Sequence, residues 1–201
     1  ATFTRHWLNK IKEWVKKDLP TDSDEVLYQT AQFMIHDFGM RASAVPEESL
    51  LFGLAHLLSF HGTDTFNAAF VAWKLGCKPM SGSSIHALAH RNVQGYEEEN
   101  DTFEAIHKTS NKCNVNIAIY VSDCYNFNNA VCTHLSKLAD KYPNDIIVSR
   151  PDSGDALKNI LLILSQGKKN LRYIEGNSVK PKSMFETMQG ILDAGFKCTQ
   201  H

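Results

Sequence analysis

The sequence predicts an α/β fold of parallel strands joined by helices. Three observations carry this. First, the β-branched, apolar run Ile146-Ile147-Val148-Ser149 ends at Arg150-Pro151-Asp152-Ser153-Gly154-Asp155, and that turn opens at once onto the helical pattern 156–164. Second, the sequence strand, turn, helix recurs about five times from residue 57 onward. Third, the chain has 201 residues, 43% of them hydrophobic and 10% aromatic, which is enough to bury a core. Right-handed crossovers would bring the turns to one end of the sheet, where loops and helix N-termini offer backbone N–H groups to anions.

The elements follow in order. Residues 4–17 place Trp7, Leu8, Ile11, Trp14 and Val15 at helical spacing with a charged opposite face, until Leu19-Pro20 breaks the pattern. A second helix begins near Asp22-Ser23-Asp24 and carries Leu27, Ala31, Met34 and Ile35. His36-Asp37-Phe38-Gly39 then forms a turn, and Pro46-Glu47-Glu48-Ser49 opens a helix to about Leu58 with proline in its first turn and acids complementing its dipole. These residues form an N-terminal helical segment, 1–56. The repeated β/α units occupy 57–201.

Within the second segment, Leu57–Phe60 reads as a strand ending at Gly62-Thr63-Asp64-Thr65 before helix 66–75. A weaker segment near Pro79–Ile85 leads to His86 and His90, and Asn116–Val121 ends at Ser122-Asp123 before helix 126–140. Strand 146–149 is next, then Leu171–Ile174 with Glu175-Gly176-Asn177, then helix 181–194. Phe196-Lys197-Cys198 reads as the start of a further strand. On this scheme Asp64, His90, Asp123, Arg150, Asp152 and Gly176 emerge at one end of one sheet or barrel.

A net charge of −1 lacks the basic excess of a nucleic-acid binder, and no apolar stretch is long enough to span a bilayer. Small molecules or proteins are the expected partners, not nucleic acid or membrane. The cysteines Cys77, Cys113, Cys124, Cys132 and Cys198 are odd in number and form no C-x-x-C pair, so they suit a reducing compartment and a cytoplasmic address. His86 and His90 stand four apart without the glutamate of H-E-x-x-H, which argues against zinc, and no dedicated metal ligands are expected. Ser122-Asp123-Cys124 has no accompanying nucleophile signature, and Asp37-Phe38-Gly39 matches the kinase triplet without its other motifs.

Arg150 with Asp152, Asp123 and Asp64 makes a mixed-charge set that suits a phosphorylated sugar held partly through Mg²⁺, because Mg²⁺ keeps water and binds substrate phosphates. The alternative for Asp123 and Asp152 is helix capping at βα turns, which aspartate favours.

Taken together, His36-Asp37-Phe38-Gly39-Met40-Arg41, Gly62-Thr63-Asp64-Thr65, the 84–90 segment, Val121-Ser122-Asp123-Cys124-Tyr125 and Ser149-Arg150-Pro151-Asp152-Ser153-Gly154 resemble, in order and spacing, the nicotinamide phosphoribosyltransferases of the type II phosphoribosyltransferase family. The resemblance runs from about residue 25 to the end and implies an incomplete parallel (β/α) barrel with N-terminal helices. It implies transfer of a phosphoribosyl group from phosphoribosyl pyrophosphate to nicotinamide, giving nicotinamide mononucleotide and pyrophosphate in NAD salvage. Mg²⁺ bound with the pyrophosphate, ATP as an activating co-substrate and a homodimer or complementing fragment belong to the same implication. So do the residue roles. Phe38 would stack on the pyridine ring, Arg41 and Asp64 would address the carboxamide, and Asp123, Arg150, Asp152 and Gly176 would hold ribosyl and phosphate groups. Ser153, Gly154 and Asn177 belong to the same substrate set, and His90 resembles the family's phosphorylatable histidine.

The departures are Asn177 where the family has aspartate, Ala89 where it has glutamate, and Met40 in place of an aromatic. The resemblance covers under half of a family member, without its N-terminal domain or its Gly-rich phosphate loop. The expectation is therefore a partial chain, inactive alone. Nicotinate as the base, or a non-catalytic remnant binding phosphoribosyl ligands or a partner subunit, are the alternatives.

Overall fold

A computed structural model describes the chain at all positions other than 1, 22, 78–81, 85, 114, 115, 177, 178, 200 and 201. It divides into two compact units, residues 1–84 and 85–201. Both are built from helices and parallel strands, the α/β architecture that the sequence predicts.

The first unit opens with α1 (Thr2–Asp18), whose Leu8, Ile11 and Val15 are fully buried, and α2 (Asp24–Phe33), which buries Leu27 and Ala31. Each fully buried aliphatic side chain contributes about 1.5–3 kcal/mol relative to exposure. Ser23 caps α2 by accepting from the Val26 N–H. Then come β1 (His36–Asp37), a 3₁₀ turn (Gly39–Ala42), α3 (Pro46–Leu57), β2 (Gly62–Thr63) and α4 (Phe66–Lys74). β1 and β2 pair in parallel, His36 opposite Gly62 and Asp37 opposite Thr63. The strand expected at 57–60 is instead the last residue of α3 and the turn that follows it. The Ser59 and Phe60 N–H groups both donate to the His56 carbonyl, each at 2.9 Å, so the backbone is still coiled there.

The second unit holds one parallel sheet in the order β3 (His86–Ala87), β4 (Ile117–Val121), β5 (Ile146–Arg150), β6 (Leu171–Tyr173). Between β3 and β4 lie the single turn α5 (His90–Val93) and α6 (Glu99–Lys112). After β4, a helical stretch from α7 (Phe127–Asn129) through a π turn (Ala130–Leu135) to α8 (Ser136–Lys141) leads to β5, and α9 (Ala156–Ser165) and α10 (Pro181–Asp193) complete the unit. Tyr120, Phe103, Leu135 and Ile147 lie in one buried cluster against β4 and β5. The segment near Pro79–Ile85 lies largely outside the described residues. Phe196–Cys198 forms no strand: the Phe196 N–H returns to the Ile191 carbonyl at 3.1 Å, and the Cys198 thiol donates to the Met188 carbonyl, folding the segment onto α10.

Three polar side chains brace the sheet from inside. The Asp145 carboxylate accepts from His107 Nε2 at 2.9 Å, which leaves His107 Nδ1 to accept from the Tyr120 hydroxyl at 2.9 Å. Burial and the Asp145 charge push the Tyr120 phenol well above its ordinary range, so it stays a donor. The network ties α6 and β4 to the residue just before β5.

Candidate functional site

The carboxyl ends of β3, β4, β5 and β6 share one edge, and the first three deliver polar residues there. His90 follows β3, Asp123 follows β4, Arg150 ends β5 with Asp152 just beyond, and Gly176 follows β6. The strand ends thus bring five of the six expected residues to one edge; Asp64 follows β2, in the two-stranded sheet of the first unit.

Asp123 is the hub. Its side chain is only 7% exposed; Oδ1 accepts from His90 Nε2 at 3.2 Å, while Oδ2 accepts from the Asp152 N–H at 3.0 Å and from the Ser153 hydroxyl at 2.5 Å. One carboxylate thereby joins the loops after three strands. Beside it, Arg150 meets Asp152 in a two-pronged pair, Nε to Oδ1 at 3.1 Å and Nη2 to Oδ2 at 3.3 Å. Ser122 and Ser149 hydroxyls meet at 2.8 Å below, locking the ends of β4 and β5 together.

Helix capping does not explain these aspartates. The side-chain cap of α9 is Asp155, which accepts from the Lys158 N–H, and that of α7 is Asn126. Asp123 and Asp152 are therefore placed toward the edge by something other than helix termination. The turn after Asp152 needs Gly154, whose φ of +89° is a conformation that a side chain would strain, and Asn159 Nδ2 pins it by donating to the Ser153 carbonyl at 2.8 Å.

Gly176 is required by proximity. A Cβ there would collide with Asp152 Oδ1 and come within 3.0 Å of Arg150 Nε. Gly176→Ala is expected to split the Arg150–Asp152 pair and to lower stability by about 1 kcal/mol. Urea unfolding of the variant and of Gly176→Ala/Asp152→Ala checks this. The alanine at 152 should recover part of the loss, and equal losses in both would show that the pair is not the obstacle.

In the first unit, Asp37, Phe38, Arg41 and Asp64 follow β1 and β2. Asp37 Oδ1 accepts from the Gly39 N–H at 2.8 Å, fixing the turn, and the Asp64 N–H donates to the Asp37 carbonyl at 2.8 Å. The half-exposed Asp64 carboxylate takes its described side-chain hydrogen bonds on Oδ1, from Ser84 Oγ and from His36 Nε2 at 3.2 Å. The Phe38 ring lies against the His36 ring at 4.5 Å between centroids, and Arg41 is exposed on the 3₁₀ turn. Asn177 lies outside the described residues.

Three residues escaped the sequence reading. His36 and Ser84 orient Asp64; both stand inside the quoted motifs, so adjacency was the available signal. The third is Glu99, a buried carboxyl at the start of α6. Burial, then the neighbouring Asp123 charge, push it up to about 7. Cys124 is likewise pushed up to about 11 by burial and by Glu99, Asp123 and Asp152, so it is a neutral thiol and no nucleophile.

Among the described residues no group of three or more His, Cys, Asp or Glu is placed to hold a metal ion, and no helix is long and apolar enough to cross a membrane. Comparison with known proteins agrees with the geometry. Residues 33–198 match the model of the nicotinate phosphoribosyltransferase (NAPRTase) family. The chain is also 30% identical, over 93% of its length, to a nicotinamide phosphoribosyltransferase from Xanthomonas campestris pv. campestris (strain 8004), and it spans 44% of that protein. The edge residues and the turn at 36–41 all lie within the matched stretch, and the chain belongs to the nicotinate phosphoribosyltransferase family.

Proposed function

We propose that the chain carries much of the active site of a nicotinamide phosphoribosyltransferase of NAD salvage, joining nicotinamide to phosphoribosyl pyrophosphate. The observation that carries this reading is the Asp123 hub, a nearly buried carboxylate fastened to His90, Asp152 and Ser153 beside the Arg150–Asp152 pair. In the reaction, the pyridine nitrogen forms a bond to the ribosyl carbon as the bond to pyrophosphate oxygen breaks. Positive charge grows on the sugar and negative charge on the leaving group. Asp123 and Asp152 would stabilise the first and Arg150 the second, more in the transition state than in the ground state. Mg²⁺ would arrive on the pyrophosphate and neutralise part of its charge; the described residues form no cage for it, and no step is routed through it.

His90 donates from Nε2 to Asp123, which leaves the ring's lone pair on Nδ1 as the nucleophile toward ATP. Transfer of the γ-phosphoryl group would form an N–P bond and release ADP. His86 sits in β3 with Nδ1 at 3.3 Å from Ser110 Oγ and does not take part.

The test is formation of nicotinamide mononucleotide from nicotinamide, phosphoribosyl pyrophosphate, Mg²⁺ and ATP. We expect none from the chain by itself and steady formation once the rest of a family member's length is supplied in trans, including as a dimer with it. Positioning contributes about 7–11 kcal/mol to reactions of this kind, so an incomplete site loses most of its rate. With complementation, His90→Ala should lose phosphate incorporation and His86→Ala should keep it. No product under either condition would leave a non-catalytic binder of phosphoribosyl ligands as the better reading. The match to a nicotinate family model makes nicotinate the second base to assay.

A further inference from the structure

Glu99 has no role in the mechanism above, yet it is only 8% exposed and its Oε1 is buried without a hydrogen-bond partner among the described residues. An orphaned buried carboxylate oxygen is costly, and a helix N-terminus would ordinarily favour its ionised form. Its location explains why it matters. His90 begins α5, Val93 ends it, and the Val93 carbonyl accepts from the Thr102 hydroxyl at 3.3 Å in the first turn of α6, the turn that begins with Glu99. The Cys124 thiol donates to the His90 carbonyl at 3.9 Å. Glu99 also acts on Cys124 through its charge, and Asp123 acts on Glu99.

We propose that Glu99 is a positioning residue for the His90–Asp123 pair, its buried carboxyl setting the charge that this pair carries. The inference rests on the transferase reading for the meaning of His90. The groups around this corner are Asp123 and Cys124 after β4, His90 and Arg91 on α5, Asp152 beyond β5, and Glu98 and Asp101 on the same turn as Glu99. While Glu99 keeps its proton, Asp123 is the anion that His90 faces, and the edge stays receptive to phosphate groups. When Glu99 ionises, a second negative charge stands behind Asp123. That charge opposes an incoming phosphoryl group at the His90–Asp123 pair.

The sign for stability follows. A carboxyl raised in the folded chain contributes stability that is fully present below its unfolded value and is lost as pH rises through about 7. Glutamine, which copies the protonated shape, should therefore gain on glutamate as pH rises.

The test uses the chain with ¹³Cδ-labelled glutamate and ¹³C-labelled histidine. The Glu99 carboxyl resonance, identified by its loss in Glu99→Gln, should titrate at about 7, away from exposed glutamates such as Glu98. His90 ring resonances should show an inflection at the same pH, absent in Glu99→Gln and retained in Glu98→Gln. The melting temperature of Glu99→Gln relative to the parent should climb between pH 5 and 8. Glu99 titrating with the exposed glutamates, or His90 resonances that ignore Glu99→Gln, would overturn the proposal. Should Glu99→Gln fold poorly, Glu99→Asp identifies the same resonance and leaves the parent titration readable. None of these readouts needs turnover, so a failure to make nicotinamide mononucleotide would remove the transferase reading and leave this coupling standing.

Discussion

Asp123→Ala is expected to lower kcat/KM of the complemented enzyme at least about 100-fold, roughly 2.7 kcal/mol. The size follows from how much depends on one carboxylate. His90 Nε2, the Asp152 N–H and the Ser153 hydroxyl all lose their acceptor together. The His90 ring would then be free to change tautomer, and a partly buried N–H left unpaired costs about 1–3 kcal/mol by itself. The turn 151–155 should loosen as a result. Hydrogen exchange at the Asp152 amide should rise in Asp123→Ala, even in the chain alone. Asp123→Asn should be milder, because an amide oxygen still accepts from the turn, although it brings no charge to the sugar. An alanine variant within about threefold of the parent would show that the hub is scaffolding and that the charge acting on the sugar comes from elsewhere.

The contrast between the two units shows what the residues disclose before folding. β4 and β5 were legible because Ile117–Val121 and Ile146–Val148 are apolar runs bounded by turn residues. The edge residues were legible for the same reason, since a parallel strand delivers its last residues to one side. α6 was not, because its buried face is mostly polar: Thr102, His107 and Ser110 beside Phe103. Their partners are Val93, Tyr120, Asp145 and His86, many positions away, so no local pattern marks that face as interior. Glu99 was hidden similarly, as an acid at a helix start is ordinarily a solvated dipole partner. β1 and β2 are two residues each, too short for any periodicity, and the Leu57–Phe60 run became the end of α3 and its closing turn because the Ser59 and Phe60 N–H groups donate back to His56. Asp64 therefore resembled a fifth strand's contribution to one sheet, when it belongs to a pair of strands in another unit.

That position makes Asp64 the residue to probe for choice of base. Its Oδ1 is engaged by Ser84 and His36, so on the proposed reading Oδ2 would be the atom that meets the carboxamide. A carboxylate accepts from the N–H₂ of nicotinamide, whereas nicotinate would place a second negative charge against it. Like charges in a partly desolvated site are disfavoured, and a polar group left without its partner adds about 1–3 kcal/mol. Arg41, exposed on the adjoining 3₁₀ turn, opposes this by offering nicotinate a cation. The expected preference for nicotinamide is therefore at least about tenfold in kcat/KM, roughly 1.4 kcal/mol, and no larger figure is needed. Asp64→Asn keeps the shape and the bond from Ser84 but removes the charge. It should shrink the ratio by admitting nicotinate while retaining turnover of nicotinamide. Asp64→Asn combined with Arg41→Ala should lose the admitted nicotinate again, because nothing is then left to balance its charge. Competition between the two bases in the complemented enzyme measures each ratio directly. A parent that used both bases equally, or a ratio unmoved by Asp64→Asn, would mean that Asp64 does not read the carboxamide, and nicotinate would become the leading substrate.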